Sequence, residues 1–515
     1  MSLLNRDRYR KKLHDLLSIA DDEAFVKLVW AVDALQSGRA SAAALHIQFP
    51  AEAVTADIAS QFKIHRWELE TLIGRLLVTP KMGTREGVNR VVDCTKFAAC
   101  ANATNFLRKL EDAEAGIFLK KIGALNEMHR VAQRQFPWER GYFNVAQFYR
   151  YAYIYGQGDC ARYFQGTYDL TVNEFSLIGF GLNAGFQGRP WLQRSFSLEK
   201  TGISSRTFEA GLRLLSITLA QARERASSMI RQANNKHGAP LPVAYQPSFL
   251  RHVPIIAFGE AGERMFAPLP QLILLRTTAG VYYDLVNGPT NLRNEASLRF
   301  EEYSAAYIAA MMPGLNVGRS HKYKVQGNTL DTPDILVRKQ EEIAIVIECK
   351  ATKLSFAAQF SDDPLTEARV GYEEIAKGVF QLWRYFSHAR RGAVDDVVRP
   401  DAHGMVLTLD TWLAMSRELQ MQVLASAAAL ATRDNEITEE DRRNVVFCSI
   451  EDLEATLATS NEDSLLRAMS AARDGAFAGW VLPAIHRETE GKAQERKPFP
   501  FDLGNVLPWW NEVRE

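Results

Sequence analysis

The sequence has little cysteine, no surplus of charge of either sign and no long apolar run, and each shortage closes off a class of function. Five cysteines stand among 515 residues, an odd number without any C-x-x-C spacing. That argues against a disulfide framework and a thiolate zinc site, and makes a reducing cytoplasm the expected setting. The ten histidines include no H-x-x-x-H pair that would supply nitrogen ligands. Lys and Arg together number 61, as do Asp and Glu. No whole-chain field therefore draws the protein to nucleic acid or to an anionic membrane, and any such binding must be local. Met1 to Leu17 is crowded with Arg, Lys and Asp and lacks the apolar stretch of a secretory signal. The longest uncharged run, Tyr303 to Gly318, holds a Pro-Gly step and is shorter than the roughly 18 residues of a membrane span. A soluble cytoplasmic protein with no membrane partner is expected.

What is present is the usage of folded protein, 47% hydrophobic, 24% charged and 10% aromatic. At about 150 residues per domain the length suggests three or so domains. Residues 1–235 read as a mainly helical region, with apolar residues recurring at three and four. Asn234 to Pro247 collects Asn, Gly and three prolines, the composition of a linker. Residues 236–290 then read as an extended connector, with short strands at Phe249–Phe258, Gln271–Arg276 and Val281–Leu285. Residues 291–455 follow the order of an α/β unit, and 456–515 return to helix and end in a tail containing Pro and Trp. A helical first part separable from an α/β second part near residue 240 is the expected organisation.

The chemistry concentrates in Thr332-Pro-Asp-Ile-Leu-Val and Ile343-Ala-Ile-Val-Ile-Glu-Cys-Lys350. Two strands joined by a three-residue turn at Gln340-Glu341-Glu342 set Asp334 across from Glu348. Alternation places Glu348 and Lys350 on one face, with Ile345, Ile347 and Cys349 on the other. Cys349 is thus a packing residue. The flanks are apolar enough to bury both faces, where two facing carboxylates call for a cation. Oxygen ligands suit Mg2+, with Mn2+ able to replace it.

This arrangement resembles the PD-(D/E)XK, or restriction-endonuclease-like, nuclease superfamily, with the signature standing as Pro333-Asp334 and Glu348-Cys349-Lys350. Phe300-Glu301-Glu302-Tyr303 matches the acidic helix that often precedes it, and Gln381-Leu-Trp-Arg-Tyr385 the Q-x-x-x-Y element of the RecB-type branch. The resemblance covers residues 291–455 and implies an αβββαβ core. It implies Asp334, Glu348, the Cys349 carbonyl and Glu301 as metal ligands, with Lys350 beside the attacking water. Gln381 and Tyr385, which share a helical face with Lys377, would meet the phosphate backbone. The implied activity is metal-dependent hydrolysis of nucleic acid, DNA ahead of RNA, with prokaryotic anti-phage defence as the setting. A nucleic-acid-binding or assembly protein of nuclease-like fold, and a transposition or recombination nuclease needing a protein partner or self-association, remain alternatives.

Two segments of the first 235 residues invite binding roles. Ala56 to Ile73 has the apolar spacing of a helix-turn-helix but no Gly at the turn, so a plain helical hairpin is preferred. The aromatic and Arg cluster from Phe136 to Phe164 has the mix of a single-strand binder but is read first as helical core.

Overall fold

A computed structural model describes residues 2–82, 91–122, 124–237, 240–361, 363–413, 416–491 and 495–512. Gly238 and Ala239, inside the expected linker, lie outside the described residues.

The N-terminal region is mainly helical, for reasons visible at its helix starts. Asp21 caps the helix Asp22–Leu35 by accepting from the Ala24 amide, and Asp22 and Glu23 complement the positive end of the helix dipole. Thr171 and Glu174 form a reciprocal capping box at Val172–Gln187. The expected helical hairpin at Ala56 to Ile73 is not there: only Arg66–Val78 is helical. Before it, Asp57 and Ser60 accept from the amides of Ala59 and Phe62. Such local side-chain bonds offer the backbone an alternative to helix.

Four short strands make a first sheet: β1 (Trp191–Gln193), β2 (Ser216–Thr218), β3 (Ile255–Phe258) and β4 (Arg264–Phe266), in the order β1-β4-β3-β2. The sheet draws strands from both sides of residue 240. Of the strands expected in the connector, only Ile255–Phe258 forms, whereas Gln271–Thr277 and Val281–Leu285 are helices. Both are short apolar runs, which carry no periodicity to separate a buried helix from a buried strand.

The C-terminal half carries a mixed five-stranded sheet built from β5 (Asn316–Arg319), β8 (Ile335–Lys339), β9 (Glu342–Lys350), β10 (Val398–Thr408) and β11 (Val445–Ser449). A two-stranded ribbon, β6 (Lys322–Val325) and β7 (Asn328–Asp331), projects between β5 and β8. The order is β11-β10-β9-β8-β5, antiparallel from β5 to β9 and parallel from β9 to β11. The parallel step from β9 to β10 is made by the helix Arg369–Arg390, the long crossover that such pairing requires. That helix packs Ile375, Val379 and Leu382 against Leu336 and Val346 of the sheet. The other face, with Ile335, Val337, Ile345 and Ile347, joins a core running from Leu13 to Trp509. One apolar core thus continues across residue 240.

A buried ion pair also joins the two halves. Arg150, fully buried on the helix Val145–Tyr155, donates to both carboxylate oxygens of Glu454. Tyr303 donates to Glu454 Oε1 at 2.6 Å. The aromatic cluster around Arg150 is core, with Tyr149 stacked on Phe501 at 5.0 Å and Tyr151, Tyr155 and Phe164 buried.

Candidate active site

The hairpin β8–β9 turns on two residues, Gln340 and Glu341, not on three. Gln340 takes the left-handed conformation, φ 60°. A register shift between Val337 and Arg338 then restores the pairing Ile335↔Ile347. The expected facing of Asp334 and Glu348 is thus reached through a shorter turn and a bulge, which adds one residue to one strand.

Glu348 is 3% exposed, and its Oε1 accepts from Lys350 Nζ at 2.9 Å. Burial raises its carboxyl to about 7, with Asp334 and Glu301 adding to the rise and Lys350 opposing it. Its Oε2 is buried without a hydrogen-bond partner among the described residues. Burial acts against the charge of Lys350, but Glu348 and Asp334 outweigh it and hold the ammonium above its ordinary value. Asp334 Oδ2 accepts from the Cys349 amide at 2.7 Å. Burial raises this carboxyl too, against that hydrogen bond and the charges of Lys350 and Arg319.

Glu301 comes from the helix Thr290–Met311, whose Phe300 and Tyr303 anchor it in the core. Its Oε2 lies 3.3 Å from Arg319 Nη2, and burial followed by Asp334 raises its carboxyl to about 7. Glu302 is the more exposed of the two glutamates, 46% against 17%, and lies 3.6 Å from Arg319 Nη1. Gln381 Oε1 is 3.5 Å from Lys350 Nζ. Glu301, Asp334, Glu348, Lys350 and Gln381 are therefore one cluster.

Tyr385 is not brought to that cluster. Its hydroxyl donates to Asp396 Oδ2 at 2.9 Å, and Asp396 also holds Arg338 and His321. Lys377, one turn before Gln381, is exposed and paired with Glu374. The face Lys377–Gln381–Tyr385 thus splits, with only Gln381 reaching the carboxylates.

Two contributors were not among the expected residues. Arg319 ends β5 and bridges Glu301 and Glu302. Gly378 lets the helix Arg369–Arg390 lie close on the site: a Cβ there would stand 3.0 Å from Lys350 Cε and 3.2 Å from Glu348 Cγ. A glycine inside an otherwise helical pattern is the signal that could have marked it.

No protein-family model, curated protein or solved structure matches the chain. The chemistry of the site therefore carries the functional reading by itself. Three buried or half-buried carboxylates face two cations, an excess of negative charge in low dielectric that favours uptake of a proton or a metal near neutral pH. Among the described residues no three His, Cys, Asp or Glu side chains stand together as a ready metal shell. Glu348 Oε1 is turned to Lys350 and Asp334 Oδ2 to an amide, while Glu348 Oε2 is buried without a partner among the described residues. The all-oxygen donor set and that orphaned atom fit a hard divalent ion. All five cysteines are buried and unpaired in disulfides, and burial raises the Cys349 thiol well above its ordinary value. Among the described residues no helix is long and apolar enough to cross a membrane.

Proposed function

We propose that the chain is a divalent-metal-dependent nuclease of the PD-(D/E)XK type, hydrolysing phosphodiester bonds of DNA. The supporting observation is Glu348, a buried carboxylate with one oxygen on Lys350 and the other unpartnered, flanked by Asp334 and Glu301. Asp334, Glu348, the Cys349 carbonyl and Glu301 would hold Mg2+, with Mn2+ able to replace it. Bound there, the ion supplies charge neutralisation at phosphate oxygens and a more acidic water. Lys350 stabilises negative charge developing beside Glu348, because its ammonium is kept protonated by the carboxylates around it. Gln381 Oε1 helps position the Lys350 ammonium. Arg319 limits repulsion at Glu301. The reading also draws on the sheet order, with Asp334 just before β8, Glu348 in the neighbouring β9 and Glu301 on the preceding helix.

A second reading, a nucleic-acid-binding protein of the same fold without catalysis, is favoured by the absence of a ready three-ligand shell among the described residues. Incubating the full chain with circular, linear and single-stranded DNA, in Mg2+, Mn2+ and chelator, separates the two. Cleavage that needs the metal supports the nuclease. Binding without cleavage under every metal condition overturns it.

A further inference from the structure

The ribbon β6–β7 takes no part in the chemistry above, yet it is rooted in the site. It leaves the sheet after Arg319, which touches Glu301, and returns through Thr332 and Pro333 to Asp334. Its neck is clamped: the Ser320 amide donates to the Asp334 carbonyl at 2.9 Å, Ser320 Oγ to the Thr332 carbonyl at 2.8 Å, and the Thr332 amide to the His321 carbonyl at 2.9 Å. Its tip is a two-residue turn, Gln326 at φ 51° and Gly327 at φ 84°. That is the left-handed pair whose twist suits a tight hairpin. One side is tied down, with the Tyr323 hydroxyl 2.8 Å from His388 Nδ1 and Gln326 Nε2 donating to Glu436 at 3.1 Å.

The opposite side is open. Lys322 pairs across with Asp331 and Lys324 with Thr329, and all four are exposed. Neither lysine makes an ion pair among the described residues. Of the nearby cations, Arg319 is engaged by Glu301, Arg338 by Asp396 and Arg391 by Glu436, while Arg384 lies over the Phe380 ring. Asp331 offsets part of the charge next to Lys322, so Lys324 and the outer half of the ribbon are the more positive.

We propose that the exposed face of β6–β7 engages double-stranded DNA, its lysines lying on phosphates at the major groove while the neck holds the strand at Asp334, Glu348 and Lys350. The inference rests on the nuclease reading and names its substrate as duplex. Strands about 4.8 Å apart form a ribbon of the kind that a major groove about 12 Å wide admits. A single-strand platform would need exposed rings beside the cations. The only ring of the ribbon, Tyr323, is turned against His388, and the aromatic cluster around Tyr149 is core. The groove face carries instead the two ammonium groups and the short polar side chain of Thr329.

The test is binding by the full chain in chelator, where no cleavage intervenes, of a short DNA duplex and of one of its strands across about 50 to 200 mM salt. The double variant Lys322→Ala/Lys324→Ala should bind duplex more weakly. Its slope of log K against log salt should be shallower by up to about 2, since each phosphate contact contributes roughly 0.9. Thr329→Lys, on the same face, should steepen the slope by about 1, which a misfolded protein would not do. Single-strand binding should change little in either variant. Unchanged duplex slopes in both variants, or equal changes on single strand, overturn the ribbon's role while leaving metal-dependent cleavage standing. A wild type that binds no nucleic acid and cleaves none overturns both readings.

Discussion

Lys350 Nζ lies 2.9 Å from Glu348 Oε1, two residues along the same strand and on the same face, and the second carboxylate oxygen has no partner among the described residues. The pair is half of a polar site sunk between a helix and a sheet, and its two members have different tasks in the proposed reaction.

Lys350→Ala should lose cleavage by roughly 10² to 10⁴, the usual worth of a positioned proton-transfer or charge-stabilising group. Lys350→Arg should recover little of it. Gly378 already packs against Lys350 Cε, and the broad guanidinium places its donors differently from an ammonium. Single-turnover cleavage of plasmid checks both, and near-normal rates in the Arg variant would remove the need for an ammonium here.

The carboxyls of Glu348 and Glu301, each raised to about 7, make a signed statement about stability. An unfolded Glu titrates near 4.3, so between about pH 4 and pH 7 the folded chain holds protons that the unfolded chain has released. Their contribution is fully present below the unfolded value and is lost as pH rises through about 7. Glu348→Gln should therefore gain melting temperature relative to wild type between about pH 5 and pH 8. Mg2+ should raise the melting temperature of the wild type at the higher pH and not that of the variant. A difference constant with pH would contradict the raised carboxyl.

Gly378→Ala and Gly74→Ala form a matched pair. Both sit inside helices, where alanine is ordinarily better by about 0.8 to 1 kcal/mol. Nothing lies within 4 Å of a Cβ at Gly74, whereas one at Gly378 meets Lys350 and Glu348. Gly74→Ala should melt higher than wild type with unaltered cleavage. Gly378→Ala should forgo that gain and lose activity by about 10²-fold, the cost of a displacement near 1 Å at a reacting centre. Melting curves and cleavage rates of the two variants are the measurements.

Arg150→Ala leaves Glu454 buried without its cation, a change that typically costs about 3 to 5 kcal/mol. The same carboxylate holds Tyr303, two residues from Glu301 on one helix. Stability and cleavage should fall together. By the same reasoning a fragment beginning near residue 240 loses β1, β2 and Arg150 and should be insoluble, contrary to the separable half expected from the linker composition. A soluble, cooperatively melting fragment would show that the continuous core is dispensable.

Much of the site is legible in the sequence because strand alternation is rigid. Once Ile343 to Ile347 is taken as a buried strand, Glu348 and Lys350 must share a face, and Asp334 follows from the hairpin. The turn is one residue shorter than expected and a bulge restores the register, since hydrophobic pattern constrains register more strongly than loop length does. Helical spacing puts Tyr385 in line with Gln381 but does not show that Asp396, from the loop before β10, claims its hydroxyl. In the connector, Gln271–Thr277 buries Leu272, Ile273, Leu274, Arg276 and Thr277, a run with no polar face to mark it as helix. Arg150 and Glu454 are 304 positions apart, and no local pattern announces such a pair.

The most direct measurement is cleavage of supercoiled plasmid by wild type and by Glu348→Gln, each in Mg2+ and in chelator. The account predicts nicking or linearisation by the wild type in Mg2+ alone, and none by the variant in either condition, with both proteins folded by circular dichroism. Cleavage by Glu348→Gln at the wild-type rate, or cleavage by the wild type that persists in chelator, would contradict it.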